Sequence, residues 1–385
     1  MNDDLYARVL ADLIAIDTTS SRSNLAFIDH VEDFLRGVDC RMERIPGETP
    51  DKSNLWISIG PEDKPGYVLS GHSDTVSVEG QDWAGNPYRL RSASGRLYGR
   101  GTADMKGFLA VCLAHVREMA SAPLARPIHL AISCDEEIGC RGVPSLLRQV
   151  MSRPNPPLGC FVGEPTNMNV VTGHKGKRAY KATVSGSWGH SSVAPRHVNA
   201  VEWAARLVDE IRKVGCRIAT QWPQDPRYDI PHSTLLSSTI QGGTAVNIVP
   251  GSCTLEWEIR MIPADEDARV PEMIMEFARD KLVPLMQAKR DDAGIQFDET
   301  IAYPGLDMAD EHPLVQLASR LSGKNELRRV AYGTEAGLFD KSGIPAVVIG
   351  PGSIEQAHKA DEYIEMSELV ACGRFVSGLI ADSCR

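Results

Sequence analysis

Acidic and imidazole side chains follow the ends of predicted strands in the pattern expected for metal ligands. His72 and Asp74 come directly after the apolar segment 67–70, and Asp104 lies in a glycine-rich loop ahead of an apolar helix at 108–120. Because open α/β sheets bind ligands at the carboxyl ends of their strands, these side chains are expected to meet at one edge. Imidazole and carboxylate groups are typical zinc ligands, although a His-x-Asp stretch alone is weak evidence.

Further ligand-type residues occupy equivalent places along the chain. Glu136 and Glu137 follow the apolar strand 128–133, Glu164 follows the next predicted strand, and His358 lies in a polar loop. Paired acids are often only a solvated charged surface, and a single loop histidine is often merely exposed. The coincidence of His72, Asp104, one of the two adjacent glutamates, Glu164 and His358 at loop positions favours a metal site over those alternatives.

The pattern of apolar residues predicts two domains. Strands alternate with helices over residues 1–177 and again over 304–385, which indicates an α/β domain with a mixed, mostly parallel sheet. Residues 178–303 read as β-α-β-β-α-β, with helices at 199–214 and 271–286, which is the ferredoxin-like order. We therefore expect an inserted α+β domain within a discontinuous first domain.

Composition excludes several classes of function. The chain has 385 residues, a net charge of −10 and a sequence pI of about 5.5, which argue against nucleic acid or an anionic membrane as partner. Nine cysteines without paired spacing indicate reduced thiols rather than a disulfide framework. The N-terminus shows no basic segment before an apolar core, and the longest apolar run is far shorter than a bilayer span, so we expect a cytoplasmic protein.

Over nearly its whole length the chain resembles the M20 family of dinuclear zinc amidohydrolases. The resemblance rests on six segments: GHSDTV (71–76), GRGTADMKG (99–107), DEE (135–137), GEPT (163–166), GHSS (189–192) and AH (357–358). It implies a zinc-peptidase-like catalytic domain, and it implies that the ferredoxin-like insertion serves as lid and dimerisation domain of a homodimer.

The resemblance also implies a ligand set for two zinc ions, with cobalt able to substitute. Asp104 would bridge the two ions. His72 and Glu164 would bind one of them, and Glu137 and His358 the other. The family further shows a cis peptide bond after its bridging aspartate, so we expect one between Asp104 and Met105.

Other residues take catalytic roles by the same resemblance. Asp74 would orient His72, as histidine ligands commonly require a hydrogen-bond partner. Glu136 would be the general base, which takes a proton from water and returns it to the leaving amine. His190 would stabilise the oxyanion, and in the family this histidine reaches the active site of the neighbouring subunit.

Candidate substrate-binding residues lie in the inserted domain and in a late loop. Asn247 and Arg260 match family positions that engage the substrate, and the guanidinium of Arg260 is suited to a carboxylate. Arg260 could equally be a solvent-facing strand residue. In the late loop, Gly333 and Thr334 precede Glu335, which could pair with a side-chain ammonium or cap the following helix.

The late loop and the context of residues 133–140 are most similar to family members that act on N-acetylornithine. The resemblance therefore implies hydrolysis of N-acetyl-L-ornithine to L-ornithine and acetate, a step of arginine biosynthesis. Succinyl-diaminopimelate and acetyl-diaminobutyrate remain alternative substrates. A carboxypeptidase or dipeptidase of the same fold and a non-catalytic binding protein remain alternative functions, although an intact Glu136 argues against the last.

Overall fold

The computed structural model describes residues 3–385. The helices are α1 (Asp3–Ile14), α2 (Leu25–Phe34), α3 (Lys106–Ser121), α4 (Val143–Met151), α5 (Ala200–Gln221), α6 (Val270–Phe277), α7 (Val283–Gln287), α8 (Pro313–Ser322), α9 (Ala336–Lys341) and α10 (Met366–Ser383). The strands are β1 (Arg41–Pro46), β2 (Ser53–Ile59), β3 (Tyr67–His72), β4 (Arg91–Ala93), β5 (Arg96–Tyr98), β6 (Ile128–Ser133), β7 (Gly159–Val162), β8 (Val170–His174), β9 (Gly176–Ser185), β10 (Gly189–His190), β11 (Thr234–Gly242), β12 (Ile248–Val249), β13 (Ser252–Met261), β14 (Gly294–Tyr303), β15 (Leu306–Asp307), β16 (Leu327–Val330), β17 (Ala346–Val348) and β18 (Tyr363–Glu365).

These elements form two compact units. The first comprises residues up to 173 together with 306–329 and 334–385. The second comprises 174–305 and the short segment 330–333. The sequence predicted an insertion at 178–303. The observed second unit begins four residues earlier and also takes in a piece of the late loop.

The first unit is built on a mixed sheet with the order β1-β2-β6-β3-β7-β17-β8-β15, and β16 pairs with β8. The central strands β6, β3, β7 and β17 are parallel, whereas β1, β2 and β8 join antiparallel. The predicted α/β class with a mixed sheet is confirmed. The central strands read as almost continuous apolar runs because helices cover the sheet, and α3 packs against α1 and α10.

The second unit is a four-stranded antiparallel sheet with the order β11-β13-β9-β14. This order, with α5 after the first strand and α6–α7 after the third, is the ferredoxin-like arrangement. Residues of β9 and β13 alternate between buried and exposed, and their buried side chains pack with α5 and α6 in one apolar cluster. The strand β11 lies at one edge of this sheet.

The predicted single helix at 271–286 is interrupted. Residues Ala278–Leu282 form a π-helical turn between α6 and α7. Pro284 lacks a backbone N–H and its ring would collide with the preceding turn of a regular helix, and a wider turn relieves that collision. Across the described residues, no helix combines the length and the apolar character that a bilayer crossing requires.

Candidate metal centre

Three neighbouring parallel strands end together at one edge of the first unit's sheet. The last residue of β3, His72, lies opposite Ser133, the last residue of β6. On the other side of β3, Ser70 lies opposite Val162, the last residue of β7. The segments that carry Glu136 and Glu164 therefore leave the sheet beside His72, as the sequence predicted.

A glycine permits the close packing beneath this edge. Gly163 follows β7 and precedes Glu164, and a Cβ atom added there would lie 2.1 Å from Cγ of Phe108 on α3. Any larger residue would require the ring of Phe108, the helix or the strand end to move. The close packing of Gly163 on the Phe108 side chain thus helps to position the neighbouring Glu164.

Asp104 lies between the two histidines of the site. Its Oδ1 is 3.0 Å from Nε2 of His72, and its Oδ2 is 3.3 Å from Nε2 of His358. The peptide bond between Asp104 and Met105 is cis, as the family resemblance predicts. A carboxylate in this position can bind one metal ion through each of its oxygens.

Each histidine also faces a glutamate. Nε2 of His72 is 3.6 Å from Oε1 of Glu164, and Nε2 of His358 is 3.1 Å from Oε2 of Glu137. We name His72, Asp104 and Glu164 the first ligand set. Asp104, Glu137 and His358 form the second ligand set. The structure therefore brings together all five metal ligands expected from the sequence.

The two ligand sets concentrate negative charge inside the unit. Burial, with the charge of Asp104 adding to it, raises the pKa of Glu137 to about 7 and that of Glu164 well above its ordinary value. Hydrogen bonds to Asp104 and Glu137 raise the pKa of His358 to about 10. Buried carboxylates without compensating cations are unfavourable, and divalent cations would supply the missing charge. This oxygen and imidazole donor set fits two such ions.

Glu136 lies beside the first ligand set. Burial raises the pKa of its carboxyl to about 8, opposed by His72, while the charges of neighbouring carboxylates add to the rise. A ligand atom of Glu136 lies within 4.8 Å of ligand atoms of His72 and Glu164, so it is close enough to reach a water bound there. Its Oε1 accepts a weak hydrogen bond from Sγ of Cys140 at 3.4 Å. The geometry permits Glu136 to act as a base or as a further ligand.

The carboxylate of Asp74 has a different contact from the one expected. Nδ1 of His72 donates to the backbone oxygen of Asp74 at 2.9 Å, whereas the carboxylate Oδ1 lies 3.7 Å away. The carboxylate instead accepts from Oγ of Ser20 and from the backbone N–H groups of Glu136 and Glu137, at 2.7, 3.1 and 3.3 Å. Asp74 thus orients the histidine through its main chain, and its side chain holds the two adjacent glutamates.

In the second unit, His190 and Asn247 are neighbours. His190 lies opposite Ile248 in the β10–β12 pair, and the backbone oxygen of Asn247 accepts from the backbone N–H of Ser191 at 3.0 Å. Nδ1 of His190 accepts from the backbone N–H of Ser192 at 3.2 Å, so in the neutral ring the proton resides on Nε2. The exposed His190 can therefore donate a hydrogen bond from Nε2.

Arg260 lies on β13 with two polar partners. Its Nε donates to Glu258 at 3.0 Å and its Nη1 donates to the hydroxyl of Tyr303 at 3.1 Å. Glu258 also receives Lys177 at 2.8 Å. Two cations thus surround one carboxylate, which leaves a net positive charge suited to an anionic group.

The late loop differs most from the sequence-based expectation. Glu335 has no exposed surface, and its oxygens accept from Oγ of Ser70 at 2.5 Å and of Ser133 at 2.6 Å. It does not lie at a surface open to a substrate ammonium, and its side chain does not cap α9. Thr334 is also buried, and its Oγ1 accepts from the N–H of Ala336. These contacts assign both side chains to the interior of the first unit.

Gly333 belongs to the second unit and is closely packed. A Cβ atom there would lie 2.3 Å from Cε2 of Tyr303 and 2.9 Å from the backbone oxygen of Lys175. A glycine is required by this packing, whatever else the residue contacts.

One residue at the site was missed by sequence reasoning. Glu362 is buried, and its carboxylate accepts from the backbone N–H groups of Gly101, Ala103 and Asp104 at 3.0, 2.8 and 3.1 Å. Its place four residues after His358 was visible in the sequence. Its partners are about 260 residues away in the chain, so no local pattern could have indicated this role.

A pair of ligand sets that share one carboxylate, with a further acid beside them, is the donor arrangement of a two-metal hydrolase. The chain belongs to peptidase family M20/M25/M40, whose model matches residues 68–382. In this chain the five residues above form a candidate metal site.

Relatives cover the whole chain. It is 30% identical over 386 residues to the acetylornithine deacetylase of Proteus mirabilis, covering 99% of this chain and 96% of that protein. Among solved structures, an M20 family metallo-carboxypeptidase of Sulfolobus solfataricus aligns with a TM-score of 0.76 at 16% identity, covering 98% of this chain and 99% of the other. The YXEP protein of Bacillus subtilis, a dinuclear metal-binding M20 peptidase, aligns with a TM-score of 0.64 at 14% identity, covering 98% of both chains. At these identities the solved structures establish the fold alone.

Proposed function

We propose that the chain hydrolyses the amide bond of N-acetyl-L-ornithine to give L-ornithine and acetate, as a step of arginine biosynthesis. The observation that carries the chemistry is Asp104 between two histidine–glutamate pairs, with Glu136 beside them. Similarity to acetylornithine deacetylase over 99% of the chain supports the choice of substrate.

We propose zinc as the metal, with cobalt able to substitute, because the ligands are imidazole and carboxylate groups. When bound, two such ions would polarise the amide carbonyl and lower the pKa of the attacking water. Glu136 takes the proton from that water and returns it to the leaving amine. Asp74 supports this step because its carboxylate fixes the backbone of Glu136.

His190 supplies a hydrogen bond to the developing oxyanion from Nε2, the atom left free to donate by the Nδ1 contact with Ser192. Arg260 and Asn247 bind the carboxylate end of the substrate. The net positive charge around Glu258 favours that anion.

The proposed assembly is a homodimer formed through the second unit, which also serves as lid. The edge strand β11 leaves backbone groups unpaired on one side. Leu236 and Ile240 on this strand are about half exposed, and Trp188 of the same unit is 54% exposed. An edge strand with exposed apolar side chains favours pairing with a second copy around a twofold axis.

A substrate panel tests the reaction. With zinc bound, kcat/KM should be highest for N-acetylornithine and lower for succinyl-diaminopimelate, acetyl-diaminobutyrate and simple dipeptides. Removal of metal by a chelator should abolish turnover, and zinc or cobalt should restore it, because the ligands supply no Lewis acid by themselves. Faster turnover of a dipeptide than of any acetyl amino acid would contradict the proposed substrate.

Glu335→Gln tests the corrected role of the late loop. We expect the free energy of unfolding to fall by about 1.5–3 kcal/mol, since a buried hydrogen bond to a charged group is lost. The kcat/KM values for acetylornithine and acetylmethionine should change by the same factor, because Glu335 bonds Ser70 and Ser133 rather than substrate. Ser133→Ala is the matched comparison, because it removes one of the two donors to the Glu335 carboxylate. A loss confined to acetylornithine would return Glu335 to the substrate site.

A further inference from the structure

The two histidines of the metal centre are held in different ways. His72 ends a central strand and is paired with β6, so the sheet itself fixes its position. His358 lies in a loop, its side chain is 53% exposed, and its φ of 63° is in the left-handed region. Such a backbone is unfavourable for a residue with a side chain and persists only when its surroundings hold it.

A side chain distant in sequence holds this loop. Nε2 of Gln81 donates to the backbone oxygen of His358 at 3.0 Å. Oε1 of Gln81 accepts from Nη2 of Arg100 at 2.6 Å and from Nε1 of Trp83 at 3.1 Å. Arg100 and Trp83 therefore orient the Gln81 amide through its oxygen, and the amide nitrogen bonds the loop that carries His358.

The same arginine reaches the backbone of Asp104. Nη1 of Arg100 donates to Oε2 of Glu362 at 2.7 Å, and both side chains are almost fully buried. Oε1 of Glu362 accepts from the N–H groups of Ala103 and Asp104. A buried ion pair is retained at a cost unless further hydrogen bonds satisfy it, and here those bonds go to the backbone of a metal ligand.

We propose that Gln81, Arg100 and Glu362 are positioning residues that set the metal affinity of the second ligand set. They join the backbones of Asp104 and His358, two of its three ligands, in one hydrogen-bonded chain. Asp104 belongs to both sets, but the first set depends less on this chain, because the sheet holds His72 and the packing at Gly163 positions Glu164. The inference rests on the proposed two-metal site and adds that the affinities for the two ions depend unequally on this hydrogen-bonded chain.

Metal binding to Gln81→Met and Gln81→Glu tests the proposal. Gln81→Met removes both the hydrogen-bond donor and the acceptor of the amide and keeps a side chain of similar size. The second keeps an acceptor for Arg100 and Trp83 but removes the donor to His358. Full-length protein, freed of metal by dialysis, is titrated with zinc against a chromophoric chelator, and bound zinc is counted by mass spectrometry. Gln149→Met is the matched control, since Gln149 bonds Glu43 on another surface of the unit.

In wild type and control, two zinc ions should bind. In both Gln81 variants the weaker of the two affinities should fall by about 10- to 100-fold, the range for residues that orient ligands, while the tighter affinity stays unchanged. Gln81→Glu, which keeps the acceptor for Arg100, should also keep the Tm of the wild type. Unchanged binding of both ions to both Gln81 variants would overturn the inference and leave the proposed function standing. Wild-type protein that binds no zinc would contradict the proposed function itself, and the inference with it.

Discussion

Glu136→Gln should lower kcat on acetylornithine by about 10²- to 10⁴-fold, the usual contribution of a general acid–base group. The amide has the same size as the carboxylate but cannot take a proton from water. The backbone N–H of Glu136 will still donate to Asp74, so the position of the neighbouring Glu137 is preserved. Zinc content should therefore remain at two ions per chain.

Glu137→Gln is the matched comparison, since it makes the same change one residue away. Oε2 of Glu137 lies 3.1 Å from Nε2 of His358. Loss of this carboxylate should weaken the binding of one zinc ion. A ligand atom of Glu136 lies within 4.8 Å of ligand atoms of His72 and Glu164. If Glu136 were a metal ligand, Glu136→Gln would lower the zinc content instead of leaving it unchanged. Loss of zinc from Glu136→Gln, or near-normal kcat with both ions bound, would exclude the general-base assignment.

The second large effect concerns His190. His190→Ala and Glu136→Gln should each be almost inactive as homodimers. If His190 acts on the neighbouring subunit, exchange of the two variants should restore up to about a quarter of wild-type activity, because half of the dimers of a twofold assembly are mixed and each has one intact site. Proven subunit exchange without recovery would show that His190 acts within its own chain.

A second mixture provides the control. The double variant His190→Ala/Glu136→Gln is mixed in equal amounts with wild type. Action in trans inactivates both sites of every mixed dimer, so about a quarter of the activity of an all-wild-type sample remains. Action within one chain leaves one active site in each mixed dimer, so about half remains. The two mixtures must agree, which guards against incomplete exchange.

The sequence was informative wherever a local pattern decides the structure. Apolar runs predicted the strands that end at His72, Ser133 and Val162, and the topology of parallel strands brings those ends together. Four candidate ligands and the pair Glu136–Glu137 could therefore be named before their distances were known, and the family resemblance selected Glu137 within that pair. The amphipathic helix α4 was overlooked, although Val143, Leu146, Leu147 and Val150 show helical spacing.

Contacts between distant segments could not be predicted in this way. Glu335 was expected to pair with a substrate ammonium or to cap the following helix, yet two serines of the sheet satisfy its carboxylate in the interior. Arg100 and Glu362 are 262 positions apart, and their pairing depends on how the last loop packs. The carboxylate of Asp74 contacts the backbone of Glu136, which no side-chain pattern reveals.

The order of the ligands along the chain has a consequence for biosynthesis. His72, Asp104 and Glu164 precede the second compact unit, whereas His358 follows it. A ribosome adding about 5–20 residues per second needs about 10–40 s to pass from Glu164 to His358. During that interval the nascent polypeptide already carries three ligands for one ion while the fifth does not yet exist. The strand β17 and the helix α10, which complete the sheet and the apolar core of the first unit, are also made after the second unit, so neither ligand set is fully positioned until the last segment has been synthesised.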